Sequence, residues 1–403
     1  MEYIQQPSGV KQITDFNWTD IKLSEVMFCL CLISIFLPIK IYPIVFLISS
    51  FIFYLDTEKL LVSKWVIFLS VFSLYAVISF FLSYNGETFM ATNIIKLLVN
   101  FVFLYFAVGW LRQRDNNNLL RGVDFVLHFI FLLVFVQLVL YHKGIEFRML
   151  WGSFSSAQTS ELYKPDLFFW GLEDKNMFGA RIAMLGFPYI LIPLIRFNKV
   201  SWGRICWIFL LAYLSLSRTP VVALLIGVFI LVWISSNARW RIILVFFISV
   251  SLPFLLEKLI RVEQFTSSRD GMGVRLVYWR AFFEHFTAIS PLGNGFLSAP
   301  EFLGKYAQFY HGEPHIHNTF MTSYLELGIV GLVSYCLFLA YFYLECKSQL
   351  QDNKFWIAAF LPMLSIMMIL YSGYDNDIVI YLSMVFLLGN IRFIDFKTVR
   401  MGI

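Results

Sequence analysis

Three side chains in the carboxyl-terminal half have the types and surroundings that group transfer needs: Arg218, Arg275 and His317. Pro314-His315-Ile316-His317-Asn318 sets two imidazoles and an amide at the mouth of an apolar run that continues to Leu344. Imidazole has the ordinary pKa closest to neutrality, so a histidine where the chain passes from water to lipid suits proton abstraction. Asn318 reads as the N-cap of the following helix. Capping accounts for the asparagine and leaves His317 unexplained by structure alone.

Arg218 lies in Leu214-Ser-Leu-Ser-Arg-Thr-Pro220, with Thr219 expected as N-cap and Pro220 as the first helical residue. A permanent cation beside the free N–H groups of a helix start suits a diphosphate. The plain alternative is an arginine reaching for lipid headgroups. Arg275 stands near the start of Gly273-Val-Arg-Leu-Val-Tyr-Trp-Arg280, and Arg280 projects roughly 140° away around a helix, so the two serve different partners. His311, His315 and His317 crowd one loop, but only Glu313 joins them and the spacing matches no zinc pattern, so no metal is expected. Lys175 and Asn176 open another apolar run and are candidates for substrate contact, as are Arg280, His315 and Asn318. Arg181 and Glu326 are costly against lipid and are expected to face the bundle interior or a cavity, Arg181 also as a substrate contact. Asp375 and Asp377 read as a solvated turn.

These groups need a scaffold, and composition says which. Of 403 residues, 59% are hydrophobic and only 14% charged. A soluble chain carries about a quarter charged residues, so hydrocarbon must be the solvent for most of this surface. Five cysteines, mostly inside apolar runs, read as small buried hydrophobes. Apolar runs at 22–37, 41–55, 65–83, 94–111, 122–141, 176–195, 203–216, 220–236, 241–256, 318–344, 354–371 and 376–391 predict an all-α polytopic membrane protein of about 12 spans. The net charge of +5 is modest, and no basic tract interleaved with aromatics points to nucleic acid.

Charge sidedness supports that count. With the amino terminus in the cytoplasm, Lys59, Lys64, Arg112, Arg114, Arg121, Arg196, Lys199, Arg204, Arg239, Arg241, Lys347 and Lys354 all fall in cytoplasmic connections. The short opposing loops 84–93 and 372–375 have no Lys or Arg. The chain is thus expected to form one membrane domain over 1–403, with both termini cytoplasmic and a large external loop at 257–317. Within it, Val274 to Ala288 predicts a helix lying in the interface, and Pro291-Leu-Gly-Asn-Gly295 predicts a turn. No Gly-rich phosphate loop or nucleotide fold is visible, which points to a substrate delivered already activated in the outer leaflet.

The order Leu214-Ser-Leu-Ser-Arg218, Gly273-Val-Arg275 with Trp279, Pro291-Leu-Gly-Asn-Gly295 and His315-Ile-His317-Asn318 running to Glu326-Leu-Gly328 resembles the O-antigen ligase and O-antigen polymerase superfamily of bacterial membrane glycosyltransferases. The likeness covers about 174–335. It implies a GT-C-like fold in the bacterial inner membrane, an active site facing the periplasm, and an inverting, cofactor-free, metal-independent transfer from an undecaprenyl-diphosphate-linked oligosaccharide. The functional arginines of the family would correspond to Arg218 and Arg275 and its histidine to His317. Partners implied are the lipid-linked donor, an acceptor glycan (a lipid-linked repeat or a lipid A-core), membrane lipids and a chain-length-regulating copolymerase. Asp174-Lys-Asn-Met-Phe-Gly179 leans toward the polymerase, with the ligase as alternative. A flippase or transporter of lipid-linked sugar is the rival from another class; it would need ionisable groups at midplane.

Overall fold

A computed structural model describes residues 22–37, 40–148, 175–254, 271–351, 353–370, 373–396 and 398–402. Roughly three quarters of the described residues are helical, and every apolar run coincides with a helix. These are α1 (Leu23–Ser34), α2 (Tyr42–Leu55), α3 (Lys64–Ser83), α4 (Thr88–Arg112), α5 (Asn117–Gly144), α6 (Lys175–Phe197), α7 (Trp202–Leu214), α8 (Arg218–Ser235) and α9 (Ala238–Phe254). After the loop segment, α10 (Gly271–Glu284) and α11 (Ala299–Tyr306) precede α12 (Thr319–Lys347), α13 (Asn353–Met367) and α14 (Asn376–Gly389). The chain is an all-α polytopic membrane protein. Among the described residues, six helices, α3, α4, α5, α6, α8 and α12, are long and apolar enough to cross a bilayer. A short parallel pair, β1 (Lys199–Ser201) with β2 (Arg400–Gly402), ties the chain end to the α6–α7 connection.

Packing contacts fix the helix directions. A Cβ on Gly179 would lie 2.9 Å from Ser217 Cβ, and one on Gly186 would lie 2.5 Å from Ile208, so α6 runs antiparallel to α7. Gly227 packs against both Phe187 and Pro362, which makes α8 parallel to α6. Tyr381 bonds the carbonyl of Ala359 and Gly389 abuts Trp356, so α13 and α14 are antiparallel. Consequently α6, α8, α12 and α14 all begin at one end of the bundle. That end holds the site.

Two local expectations change. The helix expected at Val274–Ala288 runs Gly271–Glu284, and a 3-10 turn takes Phe286–Ala288. Cys206 and Cys336 are exposed on outer helix faces, whereas Cys31 and Cys346 are buried. An outward position costs a cysteine nothing where the surroundings are lipid.

Candidate active site

The site begins with a backbone interruption in α12. Gly328 sits at φ 60, ψ −155 inside the helix. The carbonyls of Leu325 and Glu326, freed there, accept from the N–H groups of Asn294 (2.8 Å) and Gly295 (3.2 Å), and Ile329 N–H donates to Pro291 O (2.9 Å). The Pro291–Gly295 turn is therefore docked into the break. A Cβ on Gly328 would lie 2.2 Å from Pro291 O, and one on Gly293 2.4 Å from Glu326 O. Only glycine fits such an approach, which explains why both sequence motifs carry it. Glu326 is 2% exposed beside this turn, and its Oε1 has no hydrogen-bond partner.

On the loop leading to α12, Asn318 caps the helix as expected. Its Oδ1 accepts from Phe320 N and Met321 N at 3.0 Å each, and its amide donates to Met368 O at 3.1 Å. His315 Nε2 donates to the Leu370 carbonyl at 2.6 Å, a contact that fixes its proton on Nε2 because a carbonyl only accepts. His317 has φ 58, the left-handed region that a non-glycine residue occupies at a cost, of the kind found where function demands a fixed ring. Its ring meets His315 at 4.8 Å and lies parallel to the Tyr278 ring at 6.1 Å. Burial, then the neighbouring charges of His315 and Arg275, hold His317 well below the ordinary imidazole range, opposed by the Leu370 carbonyl. A buried Nδ1 without a hydrogen-bond partner completes a neutral ring able to take a proton.

Helix α10 packs its buried face against that loop. Arg275 is 7% exposed and near enough to His317 to act on its charge. One turn on, fully buried Tyr278 donates to the Glu313 carboxylate and accepts from His311 N (3.1 Å), while Trp279 Nε1 donates to Ile316 O (3.3 Å). Burial and that carboxylate push the Tyr278 phenol up, so it stays a donor. Arg280 projects the other way: it is exposed and paired with Glu284 at 2.7 Å, on the opposite face of the helix from the site. The expected substrate contact by Arg280 is therefore not supported by its position.

Arg218 begins α8, with Ser217 rather than Thr219 at the N-cap, so Thr219 and Pro220 lie in the first turn. Ser217 Oγ donates to Asn176 Oδ1 at 3.0 Å, and Gly179 lies against Ser215, Ser217 and Pro220, which brings Lys175 and Asn176 of α6 to the start of α8. Asp174 lies outside the described residues. From the Gly227–Pro362 contact, Arg218 stands about 13 Å up α8 and Leu370 about 12 Å up the antiparallel chain after α13, so arginine and histidine loop share one level.

The aspartates correct the sequence reading. Asp375 and Asp377 are not a solvated turn but are buried, 6% and 1% exposed. Lys96 bonds Asp375 at 2.9 Å; Arg181 bonds Asp377 at 3.2 Å and the Ile35 carbonyl at 2.7 Å. Arg181 faces the interior as expected, with a carboxylate as its partner. Sequence reasoning also missed Tyr278, Glu313 and the Leu370 carbonyl. Spacing gave some signal for Tyr278, three residues after Arg275 on the same helix face, but none for the other two.

Taken together, the fold and these groups define a membrane protein whose polar site gathers histidines, an arginine and several helix N-termini at one end of the bundle. Residues 205–336 match the family model described as O-antigen ligase, in agreement with the superfamily that the sequence motifs resemble. No curated protein matches the chain.

Proposed function

We propose that the chain is a glycosyltransferase that takes its glycan from undecaprenyl diphosphate at the external face of the bacterial inner membrane. Supporting this most directly is the apposition of Arg275 and neutral His317, inside the matched segment, at the end where α6, α8, α12 and α14 begin. Four positive helix-dipole ends with Arg218 and Lys175 favour a diphosphate there. In the proposed reaction an acceptor hydroxyl attacks the anomeric carbon, and the bond to the diphosphate oxygen breaks with inversion. Arg218 and Arg275 stabilise the charge developing on the leaving group. His317 takes the hydroxyl proton. The lysine and asparagine at the start of α6 position the sugar-phosphate, and no metal or cofactor is invoked.

Within this reading the polymerase, joining one lipid-linked repeat to another, is favoured by the Lys175-Asn176 element packed on α8. The ligase, passing finished glycan to a lipid A-core, is the second form. A strain lacking the protein separates them: single repeats on the core mean polymerase, whereas complete chains stranded on the carrier mean ligase. The purified protein with defined lipid-linked repeats tests the reaction itself. If Arg218→Ala, Arg275→Ala and His317→Ala all transfer glycan at the native rate, the proposal is lost.

A further inference from the structure

A second candidate site lies at the opposite end of the bundle. Between α5 and α7 a slot of about 510 Å³ is lined by Phe125, His128, Phe129, Leu132, Tyr189 and Trp207, with Gly203 and Arg204 at its polar mouth. Its volume falls in the usual range for small-ligand pockets. Phe125, Phe129 and Leu132 are more than half exposed or nearly so, on a helix that faces lipid, so the slot opens to the bilayer. Gly203 contributes no side chain and leaves the mouth clear.

The mouth is cationic and rigid. Asp124, 5% exposed, is the carboxylate shared by Arg204 (2.7 Å), Arg196 (2.7 Å) and, more distantly, His128 (3.5 Å). Two guanidiniums against one carboxylate leave a residual positive charge. Arg204 cannot swing freely to bulk headgroups: its guanidinium lies 4.3 Å over the Tyr189 ring and donates to the Tyr189 carbonyl at 3.0 Å. A fixed cation binds an anion at lower entropic cost than a mobile one.

We propose that this slot binds an anionic glycerophospholipid, its phosphodiester at Arg204, beside the Arg196–Asp124 pair, and one acyl chain along Phe125, Phe129 and Leu132 against Trp207. Basic pockets between spanning helices select acidic lipids by the same charge complementarity. The slot lies away from His317, near the end where α6 finishes, so it is separate from the proposed transfer site and does not depend on it.

The test uses the full chain in zwitterionic detergent, with native mass spectrometry of retained lipid and thermal unfolding as readouts. At equal mole fraction, phosphatidylglycerol is expected to be retained about fivefold over phosphatidylcholine, the ratio one uncompensated basic residue supplies, and to raise the unfolding midpoint. Leu132→Trp fills the slot from the lipid side, and Gly203→Val blocks its mouth; each should abolish the preference. Equal retention of the two lipids by the native chain would overturn the proposal. So would a preference surviving both substitutions, or inorganic phosphate protecting as well as phosphatidylglycerol does.

Discussion

At the end of the bundle where α1, α3, α5 and α7 begin, charge is answered by charge. Arg114 bonds both Glu25 (2.9 Å) and Asp56 (3.0 Å), Arg112 bonds Glu345 (2.6 Å), and Arg196 and Arg204 share Asp124. At the other end, Lys96 and Arg181 occupy Asp375 and Asp377 below the surface, and above them lie helix N-termini, two imidazoles and the buried Arg275. The first arrangement holds helix ends in register. The second keeps an imidazole nitrogen, Nδ1 of His317, without a hydrogen-bond partner in a buried position. Buried hydrogen-bonding capacity left unmade costs free energy, and the paired end retains some too, at Arg114 Nε and Asn116 Oδ1; at His317 the unmade bond belongs to a group that can take up a proton.

The sharpest way to break this contrast is His317→Ala, expected to lower glycan transfer by on the order of 10²–10⁴ while protein in the membrane stays constant. The same ring sets the pH response. A histidine held below the ordinary 6.5 is neutral above it, so transfer should stay flat as pH falls through 6.5 and decline only at more acid pH. A kcat/KM profile already half lost at 6.5 would remove His317 as the base. Next in size is Asp377→Asn, which leaves Arg181 buried without its carboxylate and should cost about 3–5 kcal/mol, read as a fall in unfolding midpoint and in membrane level.

Tyr278→Phe removes the bond to Glu313 and loosens the loop that carries His317. Its expected signature is a kcat loss of about ten- to hundredfold with KM little changed, since misplacing a reacting group by about 1 Å can cost that much; Glu313→Gln, which keeps an oxygen to accept from Tyr278, should lose less. The smallest effect belongs to the paired end. Arg112 is 43% exposed, so Arg112→Ala should change stability by under about 1 kcal/mol and leave transfer untouched. A large catalytic loss there would show that the two ends are coupled.

What could be read from the chain alone follows local rules. Apolar run lengths located twelve of the fourteen described helices, because in hydrocarbon a backbone has no partner but itself; the short helix Ala299–Tyr306 carries no such run and was not foreseen. Asn318 announced its cap, since that requirement concerns a residue and its near neighbours, whereas the tight approach at Gly328 is to Pro291, 37 positions away, and carried no local signal. The five-residue spacing separated buried Arg275 from exposed Arg280 by helix geometry alone. Asp375 and Asp377 were misread for the opposite reason: their partners stand 279 and 196 positions away, and only packing of α4 and α6 against α14 brings those cations near. Likewise no pattern in Glu313 or Leu370 foretold their roles. The sequence by itself determined a membrane bundle and its reactive residue types; tertiary packing alone decided which charges are neutralised inside it and which ring faces its neighbours with a nitrogen to spare, because burial and distance through space carry no periodic signature along the chain.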